Sequence, residues 1–195
     1  MRAATAAGAR GALLLATLLA PSVAVAGWGA LVPDRAKLQV AGQLGLVAPG
    51  VGYAFARDRL ETDLLVGWVP ESIAGQDLYL FTGKLTWLPW RVHLGERWLL
   101  RPFTAAVALT YTLGGEGFWL RLPDRYERGY YELPTALRAT FGLGATLSHR
   151  SRSGRELGLY AELVAGEIPL AYWISNSVVR AEDVFSLALG LRCSL

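Results

Sequence analysis

The last eleven residues of the chain alternate between apolar side chains and small or polar ones. The odd positions are Phe185, Leu187, Leu189, Leu191, Cys193 and Leu195. The even positions are Ser186, Ala188, Gly190, Arg192 and Ser194. Successive side chains of a β-strand point to opposite faces, so this period of two predicts a strand with one apolar and one polar face.

Seven earlier segments repeat the alternation, which predicts eight strands in total. They are residues 38–47, 51–57, 60–68, 78–87, 103–111, 137–147 and 157–163. Gly, Ala, Thr and Ser dominate the less apolar face, with scattered charges. A narrow barrel needs such side chains inside, where space is tight. The pattern predicts an all-β fold, an antiparallel up-and-down β-barrel of eight transmembrane strands with its apolar face toward lipid.

The first 26 residues have the features of a signal peptide rather than of the barrel. Arg2 and Arg10 give a positive start, residues 11–20 form an apolar run, and Ala24-Val25-Ala26 matches a small-x-small cleavage site. The run is shorter than the roughly 20 apolar residues that a spanning helix needs. We expect cleavage after Ala26, export, and a mature barrel domain of residues 27–195.

Composition agrees with a membrane barrel and excludes some other classes. The mean hydropathy is +0.31, yet no long apolar run follows the leader, and lipid tolerates only helices or closed sheets. Lys and Arg number 19 against 16 Asp and Glu. The two leader arginines account for most of this excess, so the charge gives no argument for nucleic acid binding. Cys193 is the single cysteine, which excludes an internal disulfide.

Seven charged residues fall on the polar face of the predicted strands. They are Glu61, Asp63, Lys84, Arg138, Glu156, Glu162 and Arg192. Unpaired charges in a closed interior are costly, so we expect ion pairs that plug the lumen. An eight-stranded barrel has no room for an open channel. A proton relay or a binding site is the alternative use of these charges.

An even strand number places both chain ends on one side, which in outer-membrane barrels is the periplasmic side with short turns. Residues 71–77, 113–134 and 167–182 then form long outer connections. Two connections depart from this rule. Residues 88–97 are long on the short-turn side, and Ala48-Pro49-Gly50 predicts a very short outer turn.

The longest outer connection is rich in aromatic and charged residues that suit surface interaction. The candidates are Trp119, Arg121, Arg125, Tyr126, Arg128, Tyr130 and Tyr131. Tyr and Trp anchor at membrane interfaces, and Arg binds phosphate in a bidentate manner. Outer-membrane lipid and lipopolysaccharide are therefore the expected partners, beside the plainer interpretation of an interfacial girdle and a solvated loop. Trp87, Trp90 and Trp98 predict a second aromatic belt on the opposite rim.

One weak set of catalytic candidates consists of His149, Ser151 and Glu162. It loosely resembles the His-x-Ser and Glu set of the outer-membrane lipid A deacylases, which are eight-stranded esterases. A second partial match is Trp173-Ile174-Ser175-Asn176, which has Trp in place of the His. The two histidines have no metal-binding spacing, and no nucleotide or redox motif is present. We expect no metal and no cofactor.

Over nearly all of its mature part, the chain resembles the small OmpA/OmpX-type outer-membrane barrels. The resemblance implies location in the outer membrane and recognition of the final strand by the barrel assembly machinery. That family usually ends in Phe or Trp, whereas this chain ends in Leu195. We predict a monomeric, non-enzymatic barrel that supports envelope integrity or surface interaction through its outer loops. The alternatives are a lipid A-modifying enzyme on the same scaffold and a soluble periplasmic lipocalin-like binding barrel.

Overall fold

The strands of this protein form a single antiparallel sheet that closes on itself. The computed structural model describes residues 32–113, 136–175 and 178–195. The strands in these ranges are β1 (Arg35–Ala41), β2 (Val47–Phe55), β3 (Leu60–Val69), β4 (Leu78–Trp87), β5 (Val92–Leu94), β6 (Trp98–Leu113), β7 (Leu137–Arg150), β8 (Glu156–Gly166) and β9 (Phe185–Ser194).

Eight of these strands form the barrel, and the ninth lies outside it. The sheet order is β4-β3-β2-β1-β9-β8-β7-β6-β5, and an additional pairing of β4 with β6 closes the ring. Strand β5 pairs with β6 alone. The predicted eight-stranded antiparallel barrel is confirmed. The additional strand arises because the long connection at residues 88–97 folds back as a short hairpin on the start of β6.

The two ends of the barrel differ in their connections. Arg35 pairs with Ser194, so β1 begins where β9 finishes, and we call this the terminal end. Its connections are residues 56–59, 88–97 and 151–155. The opposite end, called the loop end, carries residues 42–46 and the connections with the short helices α1 (Glu71–Ala74), α2 (Glu167–Ser175) and α3 (Ala181–Val184). Among the described residues, no helix is both long and apolar enough to cross a membrane.

The predicted first strand, residues 38–47, is wrong because the chain turns within it. Strand β1 ends at Ala41, and Ala41, Gly42, Gln43 and Gly45 all have positive φ angles. Such backbone is left-handed and cannot continue a strand. Leu44 is thereby turned inward and is only 2% exposed. The turn predicted at residues 48–50 is also wrong, since β2 runs through these residues.

Strand β6 begins five residues earlier than the predicted strand at 103–111. Its pairing with β7 shifts between Arg101 and Thr104, which marks a bulge. A bulge inserts an extra residue and breaks the period of two. The alternation that begins at Phe103 therefore changes phase before Trp98. For this reason the sequence pattern does not predict whether Arg101 faces the inside or the outside of the barrel.

The barrel wall is apolar outside and polar inside. Leu64, Leu159 and Leu187 on the outer face are more than half exposed, whereas Glu61 and Asp63 on the inner face are 1% exposed. Alternation along each strand produces this division, because neighbouring side chains point to opposite sides of the wall. The arrangement is the reverse of a soluble barrel, whose interior holds the apolar side chains.

Candidate functional site in the barrel interior

Nine charged side chains from six strands meet in the barrel interior. The cations are Arg35, Lys37, Lys84, Arg101 and Arg192, and the anions are Glu61, Asp63, Glu156 and Glu162. Eight of the nine are at most 9% exposed, and the side chain of Glu156 is 13% exposed. Charge burial on this scale is tolerated only where the groups are paired, and each of the nine has an ion-pair partner. Ion pairs through Glu61 and Glu156 link seven of them, whereas Lys84 and Glu162 form a separate pair.

Glu61 is the centre of the network near the terminal end. Its Oε1 lies 2.5 Å from Nη1 of Arg35 and 2.9 Å from Nη1 of Arg192. Its Oε2 lies 2.9 Å from Nζ of Lys37, which also reaches Oδ2 of Asp63 at 2.7 Å. Lys37 and Arg192 are direct neighbours across β1 and β9, so one carboxylate separates like charges that the register brings together.

Arg101 anchors a second cluster on the opposite wall. Its Nη1 donates to Oε1 of Glu156 at 2.9 Å and to Oγ of Ser148 at 3.2 Å. Nη2 of Arg192 lies 3.7 Å from the same Glu156 oxygen, which links this cluster to the one around Glu61. Arg101 is fully buried, and its Nε and Nη2 have no protein partner among the described residues.

Tyr160 occupies the middle of the barrel between two lysines. The ammonium groups of Lys84 and Lys37 lie 5.2 and 5.9 Å from its ring centroid, within the range of cation–π attraction. Its hydroxyl donates to Oε1 of Gln39 at 3.2 Å, which also accepts from Lys84 at 3.1 Å. Lys84 completes its contacts with an ion pair to Glu162.

The Tyr160 ring fits because the residue facing it is glycine. Gly190 pairs with Tyr160 across β8 and β9, and a Cβ at position 190 would lie 2.1 Å from a ring carbon. Real side chains never approach so closely. The tip of the Tyr160 side chain therefore lies close to the β9 backbone and occupies the lumen at this level.

Toward the loop end, small and apolar residues replace the charges. Leu44, Ala48, Leu65 and Ala108 form one buried cluster, and the Thr82 and Thr110 hydroxyls share a hydrogen bond of 2.9 Å. The interior space lined by Leu44, Lys84, Glu162 and their neighbours amounts to about 10 Å³, roughly enough for one water molecule. Within the described residues the lumen is filled, with no open channel in this region.

The sequence-predicted charges are not all in this network. Glu61, Asp63, Lys84, Glu156, Glu162 and Arg192 are part of it. The assignment of Arg138 to it is wrong: its side chain is 42% exposed at the loop end, with Nη1 at 3.6 Å from Glu167. Position 138 has the inward phase, but it lies at the mouth of the barrel, where water reaches the side chain.

Three interior cations, Arg35, Lys37 and Arg101, are absent from the predicted set. Arg35 and Lys37 share the phase of Gln39, which lies on the polar face of the predicted strand 38–47. Extending this alternation three residues toward the N terminus, from Leu38 to Arg35, identifies both as inner residues. Arg101 had no such signal because of the bulge in β6.

The three catalytic candidates do not come together. His149 packs against Trp98 in an edge-to-face arrangement with 4.8 Å between ring centroids, and Ser151 lies in the exposed turn that follows β7. Glu162 is inside the barrel and paired with Lys84. Ser175 of the second partial match donates to the backbone oxygen of Ala171 at 2.7 Å, and Asn176 lies outside the described residues.

Several other sequence predictions fall on residues that the structure does not describe. These are the signal peptide at residues 1–26 and the outer-loop candidates Trp119, Arg121, Arg125, Tyr126, Arg128, Tyr130 and Tyr131. In the described part of the chain, no three His, Cys, Asp or Glu side chains are grouped to hold a metal ion.

Fold and interior together define a class: a closed eight-stranded antiparallel β-barrel with a charged, filled lumen and an apolar outer wall. No family model, curated protein or solved structure matches the chain. The class is therefore defined by strand pairing and side-chain placement, which agree with an OmpA/OmpX-type fold.

Proposed function

We propose that this protein spans the bacterial outer membrane as a closed, non-enzymatic barrel that supports envelope integrity or surface interaction through its loop-end connections. The observation that carries this proposal is the reversed polarity of the wall, with large apolar side chains outside and nine charges inside. Monomeric soluble proteins rarely expose contiguous apolar patches larger than a few hundred Å². A wall that is apolar on every barrel strand is suited to contact with lipid.

The dimensions of the wall are those of a transmembrane barrel. A spanning strand needs about 9–11 tilted residues, and seven of the eight barrel strands have between 9 and 16. Trp87, Trp90 and Trp98 are about half exposed at the terminal end. Exposed Trp residues at one level are typical of an aromatic girdle at a membrane interface.

The interior supports a structural role rather than transport or binding. The lumen between the terminal end and Leu44 holds paired charges and Tyr160, and the cavity lined by Leu44, Lys84 and Glu162 has about 10 Å³, too little for a small-molecule ligand. A lipocalin-like barrel requires an apolar cavity, and the charged side chains at this level do not provide one. Export through the leader of residues 1–26 and insertion by the barrel assembly machinery complete the proposal.

Cell fractionation tests the location directly. We expect the expressed full chain in the outer-membrane fraction, with an unheated gel band that migrates faster than the heated band. Leu189 faces outward and is 53% exposed. Leu189→Arg should reduce the folded band, because Arg on the lipid face costs about 2–4 kcal/mol near the midplane.

Leu189→Ile is the matched control, since it keeps the outer face apolar and should fold like the parent. A freely soluble periplasmic protein would overturn the proposal. Equal folding of the Arg and Ile variants would overturn it as well, because a surface facing water accepts Arg without loss.

A further inference from the structure

The exposed surface of the terminal end is strongly basic. Its three connections and the adjoining end of β7 carry seven exposed arginines: Arg57, Arg59, Arg91, Arg97, Arg150, Arg152 and Arg155. We call this set the arginine rim. The carboxylate side chains of the same connections are those of Asp58 and Glu96, and Asp34 adds one more where the chain enters β1. A concentration of like charge on this scale creates a field that attracts anions.

Most of the rim charge is not neutralised by the protein. Asp58 is shared between Arg35 and Arg91, each at 3.1 Å, and Arg150 lies 3.9 Å from Glu156. The remaining five, Arg57, Arg59, Arg97, Arg152 and Arg155, have no ion pair with the described residues. The rim therefore carries excess positive charge outside the internal network.

The loop end has the opposite balance in its described residues. Its connections carry the acidic residues Glu71, Asp77, Glu167, Glu182 and Asp183. Its two arginines are both paired, Arg138 with Glu167 and Arg180 with Glu182. Among the described residues, arginine without an ion-pair partner is thus found at the terminal end and not at the loop end.

Aromatic side chains place the rim at the depth of lipid headgroups. Trp98 follows Arg97 directly, and its register partner His149 precedes Arg150. The amide of Arg150 donates to the carbonyl of Arg97 at 2.7 Å, which holds the backbone of these two arginines beside the Trp98 and His149 rings. Trp90 adjoins Arg91 and lies 5.6 Å from Phe103, between ring centroids. Trp residues prefer the membrane interface, so in the proposed membrane location the neighbouring guanidinium groups are expected at the level of the lipid phosphates.

We propose that the arginine rim binds the phosphates of anionic phospholipids in the leaflet that surrounds the terminal end. This inference rests on the proposed membrane location. Guanidinium groups form bidentate hydrogen bonds with phosphate oxygens, and juxtamembrane cations are attracted to anionic lipid. The rim thereby fixes the depth of the barrel and enriches anionic lipid around this end.

Lipid-selective quenching of Trp fluorescence tests the rim. The full chain is reconstituted in phosphatidylcholine vesicles in which the lipid is replaced stepwise by brominated phosphatidylglycerol or brominated phosphatidylcholine. Trp87, Trp90 and Trp98 report on lipid at the rim once the other four Trp residues, Trp28, Trp68, Trp119 and Trp173, are replaced by Phe. In low salt, we expect the association constant for phosphatidylglycerol to be about threefold higher than that for phosphatidylcholine. In 1 M NaCl this ratio should approach unity, because the Debye length shrinks to about 3 Å.

Arg152→Gln with Arg155→Gln should reduce the preference for phosphatidylglycerol, since both residues are exposed and unpaired. The matched control is Arg138→Gln with Arg180→Gln, which removes two charges at the loop end and should leave the preference unchanged. Equal quenching by the two lipids, or equal effects of the two double variants, would overturn the inference. A chain that fails to insert into the vesicles would instead contradict the membrane proposal, so the two failures are distinguishable.

Discussion

The two halves of the barrel interior are filled by different chemistry. The half toward the terminal end holds interlocked ion pairs around Glu61 and Glu156, whereas the half toward the loop end holds Leu44 and its apolar neighbours. Ion pairs require every partner, because one removed group leaves a buried charge uncompensated. Apolar packing requires only volume. The comparison shows that the lumen of one barrel can be filled either by ion pairs or by apolar side chains. The stability of the two halves should therefore respond differently to substitution.

The largest effect is expected from Glu61→Gln. It removes the carboxylate that neutralises Arg35, Lys37 and Arg192, which leaves buried cations facing one another. Removing one partner of a buried ion pair costs about 3–5 kcal/mol. Urea unfolding in detergent micelles, followed by Trp fluorescence, should show this loss.

The matched control for Glu61 is Glu182→Gln, whose side chain is 70% exposed and pairs with Arg180 on the surface. An exposed pair contributes about 1 kcal/mol or less. If both variants unfold at the same urea concentration, the charged half does not depend on complete pairing.

Leu44→Ala tests the apolar half by removing volume alone. Leu44 is 2% exposed and fills the space between Ala48, Leu65 and Ala108. Truncating a buried Leu to Ala costs about 2–5 kcal/mol, and the lower part of this range applies where the site can collapse. Since Leu44 lies on a turn that can move inward, we expect about 2–3 kcal/mol in the same urea assay.

Leu46→Ala is the control for Leu44, because Leu46 lies two residues away and is 41% exposed on the outside. It should lose markedly less stability than Leu44→Ala. Equal losses would mean that the turn does not close the loop end of the lumen.

The difference between the halves also explains what the sequence could predict. Strict alternation in β3, β4, β8 and β9 gave the strand count and the inner positions of Glu61, Lys84 and Glu162, because nothing interrupts their period of two. Where backbone geometry breaks the period, the prediction failed. Left-handed residues between Ala41 and Gly45 hid the inward position of Leu44, and the bulge after Arg101 hid that residue.

The partners within the ion pairs could not be predicted from the sequence, for a different reason. Glu61 and Arg35 are 26 residues apart, and Lys84 and Glu162 are 78 apart. Their contacts depend on the stagger of strands around the closed ring, which the alternation of one strand does not encode. The contact of Tyr160 with Gly190 could not be predicted for the same reason. A glycine in a strand indicates only a weak strand former until the residue that faces it is known.

Gly190→Ala tests the boundary between the halves with a smaller effect. The added methyl group would lie 2.1 Å from the Tyr160 ring. The ring must then move away from Gln39 and the two lysines. Overpacking of this kind costs about 1–3 kcal/mol. Gly83→Ala is the matched control on β4, since no atom lies within 4 Å of its added Cβ. A stability loss at Gly83 equal to that at Gly190 would exclude the Tyr160 contact as its cause.

The smallest loss of stability is expected when one buried ion pair, Lys84 with Glu162, is replaced as a whole by uncharged side chains. Lys84 and Glu162 are paired and about 95% buried, so Lys84→Met or Glu162→Met alone should cost about 3 kcal/mol, the lower end of the range expected for Glu61→Gln. The double variant removes both charges.

Replacing both members of a buried pair is often nearly neutral, so the free energy of unfolding of the double variant should lie within about 1 kcal/mol of the parent value. Tyr160 can still donate to Gln39 in this variant, which keeps the central ring in place. Additive losses in a double-mutant cycle would show that the two residues act independently, and that charge pairing is not what distinguishes this half of the lumen.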